Sequence, residues 1–193
     1  MRVIAGTAKG RTLAAVPGDS TRPITDRVKS ALFSILNSAG LIEGCRYLDL
    51  FGGTGAVGIE ALSRGAAEVV FCERDRMALQ TLQRNLAATG FTDRARVMPG
   101  DAFGYLARAD ALFDVIYIAP PQYQGIWLRA LRAVDARPEL LAGGQVIVQV
   151  FPKEWIEPDL VHLALLDRRQ YGSTALFFLN TASRIEPAAS NES

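Results

Sequence analysis

From Gly44 onward the apolar residues change period repeatedly, and each change marks an element. The runs "RYLDLF" (46–51), "AEVVFCE" (67–73), "ARVMPG" (95–100) and "FDVIYIA" (113–119) are short and rich in β-branched and aromatic residues, and they read as strands. Residues 56–63 and 75–89 carry helical spacing; in the second, Ala78, Leu79, Leu82 and Leu86 point inward and Gly90 closes the helix. Further helices are expected near 101–108 and 124–134. This βαβ alternation predicts an α/β fold with a mostly parallel sheet, right-handed crossovers and helices on both faces. "GQVIVQVF" (144–151) and "TALFFLNT" (174–181), separated by the short "LVHLALLDRR" (160–169), predict an antiparallel finish. Upstream, Gly6 and Gly10 punctuate residues 3–16 into a β-hairpin or extended arm, and "PGDSTRP" (17–23) follows as a loop. Thr25 then caps a helix whose Val28, Ala31, Leu32, Ile35 and Leu36 make one apolar stripe. Three regions result: an N-terminal hairpin and helix over 1–40, the main domain over 41–183, and a tail over 184–193 whose composition reads as disordered.

Composition narrows the class. The 193 residues are 49% hydrophobic and 21% charged, ordinary for one soluble domain. No apolar run approaches the roughly 20 residues of a membrane span. Cys45 and Cys72 form no C-x-x-C, and His162 is the single histidine, so packing thiols in a reducing cytoplasm are expected and a metal site is not. The net charge of +1 hides an asymmetry: residues 1–30 hold Arg2, Lys9, Arg11, Arg22, Arg27 and Lys29 against Asp19 and Asp26, a balance of +4. A basic arm on a mildly acidic body suits phosphate contacts, and a solvated surface suits it equally.

Candidate chemistry begins at "GTGAVG" (53–58), a G-x-G-x-x-G between a strand and a helix, with Glu73 at the next strand end, 20 residues beyond Gly53. That is the dinucleotide fingerprint in context, so a nicotinamide cofactor competes. Asp49, on the strand entering the turn, opposes a pyrophosphate but attracts the cationic amino and sulfonium groups of S-adenosyl-L-methionine (SAM), and so favours SAM. Glu73 is then suited to accept both ribose hydroxyls, and Asp101, at the following strand end, to read the adenine edge. In "YIAPPQYQ" (117–124) two prolines stop a buried strand and stiffen the backbone after it. A strand-ending turn explains that, and so does a site.

Taken in order, "TRPITDRVKSALFSIL", "LDLFGGTGAVGIEALSRGAAEVVFCERD", "GDAF", "DVIYIAPPQY" and "RRQYGSTALFFL" closely resemble the RsmD-like bacterial 16S ribosomal RNA guanine-N2 methyltransferases. The resemblance implies a class I, Rossmann-like SAM-dependent methyltransferase sheet of seven strands, the last antiparallel, with the N-terminal hairpin and helix added for RNA. It implies SAM contacts at Asp49, Phe51, Gly52, Gly53, Thr54, Gly55, Glu73, Asp101 and Ala102, S-adenosyl-L-homocysteine as product, and small-subunit ribosomal RNA or a 30S assembly intermediate as partner. A cytoplasmic monomer without metal is expected, with Lys9, Arg11, Arg22, Arg27 and Lys29 as RNA contacts. The chain departs from the family where Asp-Pro-Pro is usual: Ala119 stands at the acidic position, with Gln122 after the prolines and Tyr123 one residue later. The expected catalytic set is therefore the carbonyls of Ala119 and Pro120, held by Pro120 and Pro121, with Gln122 for the base edge and Tyr123 as stacking platform; Trp127 is expected to pack. The alternatives are a SAM-binding assembly factor that lost turnover with the acid, and a DNA or protein amino-methyltransferase.

Overall fold

The computed structural model describes residues 1–17 and 24–182. Seven strands, β1 (Arg46–Asp49), β2 (Glu68–Glu73), β3 (Ala95–Pro99), β4 (Phe113–Ile118), β5 (Leu141–Val150), β6 (Leu163–Tyr171) and β7 (Thr174–Thr181), form one sheet in the order β3-β2-β1-β4-β5-β7-β6. The pairs from β3 to β5 are parallel, and β7 runs antiparallel to both β5 and β6. Helices α1 (Asp26–Ser38), α2 (Ala56–Ser63) and α3 (Arg76–Thr89) cover one face, where Leu32, Ile59 and Leu82 bury against Tyr47, Phe71 and Tyr117. On the other face α4 (Ala102–Arg108) and α5 (Ile126–Asp135) bring Leu106, Trp127 and Leu131 onto Leu48, Ile116 and Val146. The expected seven-stranded α/β architecture is present.

Local chemistry sets the boundaries. Thr25 caps α1, its hydroxyl accepting the Val28 N–H; Asp75 caps α3 in the same way through the Ala78 N–H, and Gly90 ends α3 at φ +78°. Helix α2 is buried on every side, as its apolar sequence requires, because the sheet lies beneath it and the N-terminal segment above. Its Gly58 lets it sit close: a Cβ there would fall 2.2 Å from the Phe71 ring.

Four expectations are corrected. Residues 1–13 close into a short antiparallel hairpin, bridged at Arg2 and Thr12 with Val3, Gly10 and Leu13 donating to the carbonyls of Arg11, Val3 and Met1, but the N–H groups between them turn to α2. Ile4 and Ala5 donate to the Glu60 carboxylate, Thr7 to the Ser63 carbonyl and Ala8 to the Ser63 hydroxyl, so the segment is a docked module and not a free arm. Lys29 is 2% exposed, 3.2 Å from the Glu60 carboxylate and donating to the Arg2 carbonyl, which removes it from any RNA surface. Leu79 is only half-buried; Thr81 and Asn85 occupy the inward side of α3 in its place. The stretch between the last two expected strands is itself the edge strand β6. Arg22, most of the 17–23 loop and the 184–193 tail lie outside the described residues.

Candidate active site

The strand order reverses between β1 and β4, and the carboxyl ends of β1, β2 and β4 there are the place where open α/β sheets bind ligands. Asp49 ends β1 there. It is 2% exposed and leaves Oδ1 buried with no hydrogen-bond partner. Burial pushes its carboxyl up to about 7; the nearby backbone N–H groups of Phe51 and Gly58 pull the other way and the Glu73 charge adds to the rise. An unpartnered buried carboxylate oxygen is a place where a cation is stabilised, which fits the amino group of SAM. Asp49, only partly ionised near neutrality, opposes a pyrophosphate less than a full charge would.

Glu73 ends β2 and ties that strand to the glycine turn. Its Oε2 accepts the Gly53 N–H at 2.8 Å, and its Oε1 accepts the N–H groups of Arg74 and Asp75, each at 2.8 Å. A carboxylate offers about four lone-pair positions, so three backbone donors leave room for one more bond beside Gly53 and not for a fully free bidentate pair. Gly52 donates to the Cys72 carbonyl and Gly55 to Gly52, which folds the turn tightly; Gly55, at φ +80°, is the N-cap of α2. Asp101 caps α4 by accepting the Gly104 N–H at 3.1 Å, while Ala102 is buried behind it and Phe51 packs half-buried toward the α4–α5 face. Asp49, Phe51, Gly52, Gly53, Thr54, Gly55 and Glu73 thus share one turn, with Asp101 and Ala102 at the next loop.

The sequence pattern does not announce Asn85. From α3 its amide donates to the carbonyls of Ala14 and Thr54 and its oxygen accepts the Ala14 N–H, joining the N-terminal module to the glycine turn. The available signal is a polar residue three positions after Leu82, inside the apolar stripe.

After β4 the chain passes through half-buried Ala119 and Pro120 to exposed Pro121, Gln122 and Tyr123. Tyr123 is the one non-glycine residue with positive φ among the described residues, at +62°, and is 71% exposed. Its N–H donates to Glu154 Oε2 at 2.7 Å, and its ring meets Phe151 at 5.8 Å. Trp127 is buried in a stack with Trp155 and packs as expected. Ala119 contributes no polar side-chain atom. Lys9, Arg11 and Arg27 are exposed, Arg11 also donating to the Ala88 carbonyl. Cys45 and Cys72 are free and buried, and burial raises both thiols to about 12. Among the described residues no cluster of histidine, cysteine or carboxylate groups could hold a metal, and no helix is long and apolar enough to cross a membrane.

Comparison with known proteins adds relatives to this geometry. The family model described as "Conserved hypothetical protein 95" matches residues 1–180. The Bacillus subtilis (strain 168) protein named "Putative rRNA methyltransferase YlbH" is 39% identical over 180 residues, 91% of this chain and 96% of its own. "Ribosomal RNA small subunit methyltransferase D" of Escherichia coli (strain K12) is also 39% identical, over 126 residues that cover 65% of this chain and 62% of the relative. Among solved structures, "Putative methyltransferase yhhF from Escherichia coli" superposes with a TM-score of 0.81 at 31% identity, covering 94% of this chain and 97% of that one.

Proposed function

Since the chain belongs to the conserved hypothetical protein 95 family, the RsmD-like methyltransferases, and has their class I sheet, we propose that it moves a methyl group from SAM to the exocyclic N2 of a guanine in 16S ribosomal RNA. The carrying observation is the buried, unpartnered Oδ1 of Asp49 beside a glycine turn, at a strand end adjoining the proline loop. Bound SAM supplies an electrophilic methyl on a sulfonium. The residues present fit it: Asp49 takes the amino group, the free position of Glu73 beside Gly53 takes a ribose hydroxyl, and Asp101 with the Ala102 N–H takes the adenine edge. Gly52, Thr54 and Gly55 allow backbone approach, and Phe51 closes the apolar side.

Guanine N2 is a weak nucleophile because its lone pair is delocalised into the ring. The carbonyls of Ala119 and Pro120 draw its hydrogens aside, Pro120 and Pro121 keep those acceptors fixed, Gln122 bonds the base edge, and the Tyr123 ring supports the unstacked base. With SAM bound, N2 would take its methyl group, the carbon–sulfur electron pair staying with sulfur and the surplus N2 proton passing to water, and S-adenosyl-L-homocysteine would be the product. Exposed Lys9, Arg11 and Arg27, with Arg22, meet phosphates of the RNA or of a 30S assembly intermediate. The protein acts as a cytoplasmic monomer.

Mass spectrometry of small-subunit RNA from a strain lacking the protein, before and after re-expression, tests this. One N2-methylguanine should vanish and return; an unaltered modification pattern refutes the proposal. Ala119 supports a second reading, a SAM-binding assembly factor without turnover, because its methyl group accepts no hydrogen bond. An inactive wild type that gains methylation as Ala119→Asp would establish that reading.

A further inference from the structure

The loop proposed to hold the base has its firmest restraint from outside itself. Strand β5 neighbours β4 in parallel register, so the segments that leave them lie side by side. After Phe151 the chain makes one short turn, Pro152–Glu154, closed by the Glu154 N–H on the Phe151 carbonyl at 2.9 Å. That turn presents two groups to Tyr123: the Phe151 ring against its ring, and the Glu154 carboxylate on its N–H. The next residue, Trp155, is stacked between Trp127 of α5 and Phe177 of β7, which anchors the turn to the core. Tyr123 needs such a restraint, because a β-carbon at φ +62° is strained and an unrestrained loop would relax it. Glu154 Oε1 is buried with no partner, although a glutamate on a surface turn escapes that condition by rotating into water. The carboxylate is held in place under the loop.

Resting on the proposed function, we propose that Glu154 is the positioning residue of the Ala119–Tyr123 loop: by holding the Tyr123 N–H it keeps the tyrosine ring where an unstacked base will lie. A carboxylate or amide oxygen at this position serves, and a methyl group does not.

The test compares E154A, E154Q, Y123A and the E154A/Y123A double variant in full-length protein. E154A should lower kcat for RNA methylation by about tenfold, the range for losing one charge-assisted hydrogen bond, with SAM affinity unchanged. E154Q should recover most of that loss. In the Y123A background E154A should change kcat by less than about twofold, since the group it positions is gone. Amide hydrogen exchange at Tyr123 should accelerate in E154A and not in E154Q. An E154A enzyme with wild-type kcat, equal losses from E154A in both backgrounds, or unaltered exchange at Tyr123 would each overturn the inference. A wild type that methylates no RNA would instead refute the proposed function, and Tyr123 exchange would then decide alone whether Glu154 holds the loop.

Discussion

In the proposed function, Asp49 couples SAM affinity to pH through its own burial. Its folded value of about 7 lies above the ordinary 3.8. Below pH 4 both folded and unfolded chains hold the proton and the group is neutral to stability. Between pH 4 and 7 only the unfolded chain ionises, so the ligand-free fold loses stability as pH rises, by roughly 4 kcal/mol in all at 1.36 kcal/mol per unit. Asp49→Asn keeps the shape and removes the ionisation. Its denaturant midpoint should be nearly flat from pH 5 to 8 and above wild type at pH 8, while SAM binding is lost. A cation needs the ionised form, so wild-type affinity for SAM should climb about tenfold per pH unit below 7 and level off above it, as calorimetry would show. Glu73→Ala should both weaken SAM and lower the unfolding midpoint, because the same carboxylate holds the Gly53 N–H; loss of about 1.5–3 kcal/mol of SAM binding is expected by calorimetry. Asp49 and Glu73 are legible in the sequence because glycine spacing fixes where strand ends must be. Glu154 and Asn85 are not, since their partners Tyr123 and Thr54 lie 31 residues away in each case and no local period announces them.

Among the elements, the N-terminal module shows how burial reassigns a charge. Within "TDRVKS" Arg27 and Lys29 look alike, yet helix α1 turns Arg27 outward and Lys29 onto Glu60, whose carboxylate also accepts hydrogen bonds from Arg64, Ile4 and Ala5. Removing one partner strands the rest: Lys29→Ala should destabilise the protein by about 3–5 kcal/mol in chemical denaturation. The double change Lys29→Met with Glu60→Leu should destabilise less than the sum of the two single removals. The α2 boundaries are fully legible from the glycines and the apolar run. The docking of the N-terminal hairpin is not, because its bonds to Glu60 and Ser63 are made by tertiary structure. Edge strand β6 is hidden for a related reason: Leu163–Tyr171 is mostly exposed and carries the charged run Asp167–Arg169 in its middle, so alternation is weak there, and its pairing with β7 supplies what the pattern lacks.

For the molecule as a whole, charge lies on the module that abuts the glycine turn, through Asn85 and through the Met1 contact with Thr54. Neutralising Lys9, Arg11 and Arg27 together should weaken RNA binding, flatten its dependence on salt by about one unit of slope for each phosphate interaction removed, and leave SAM affinity unchanged. Titration at several ionic strengths measures this, and an unaltered slope would assign the module a purely structural role. The aromatic anchor of the loop has an optical consequence. The chain's two tryptophans, Trp127 and Trp155, are the two stacked indoles, 4.8 Å apart at 18°. All indole emission and any exciton signal in near-ultraviolet dichroism therefore come from one spot, one residue away from the carboxylate that grips Tyr123. The unlabelled protein carries its own reporter: a spectral change on adding RNA would arise at the loop junction, and an unfolding curve followed by tryptophan would record the release of that junction, whatever the remainder of the sheet is doing.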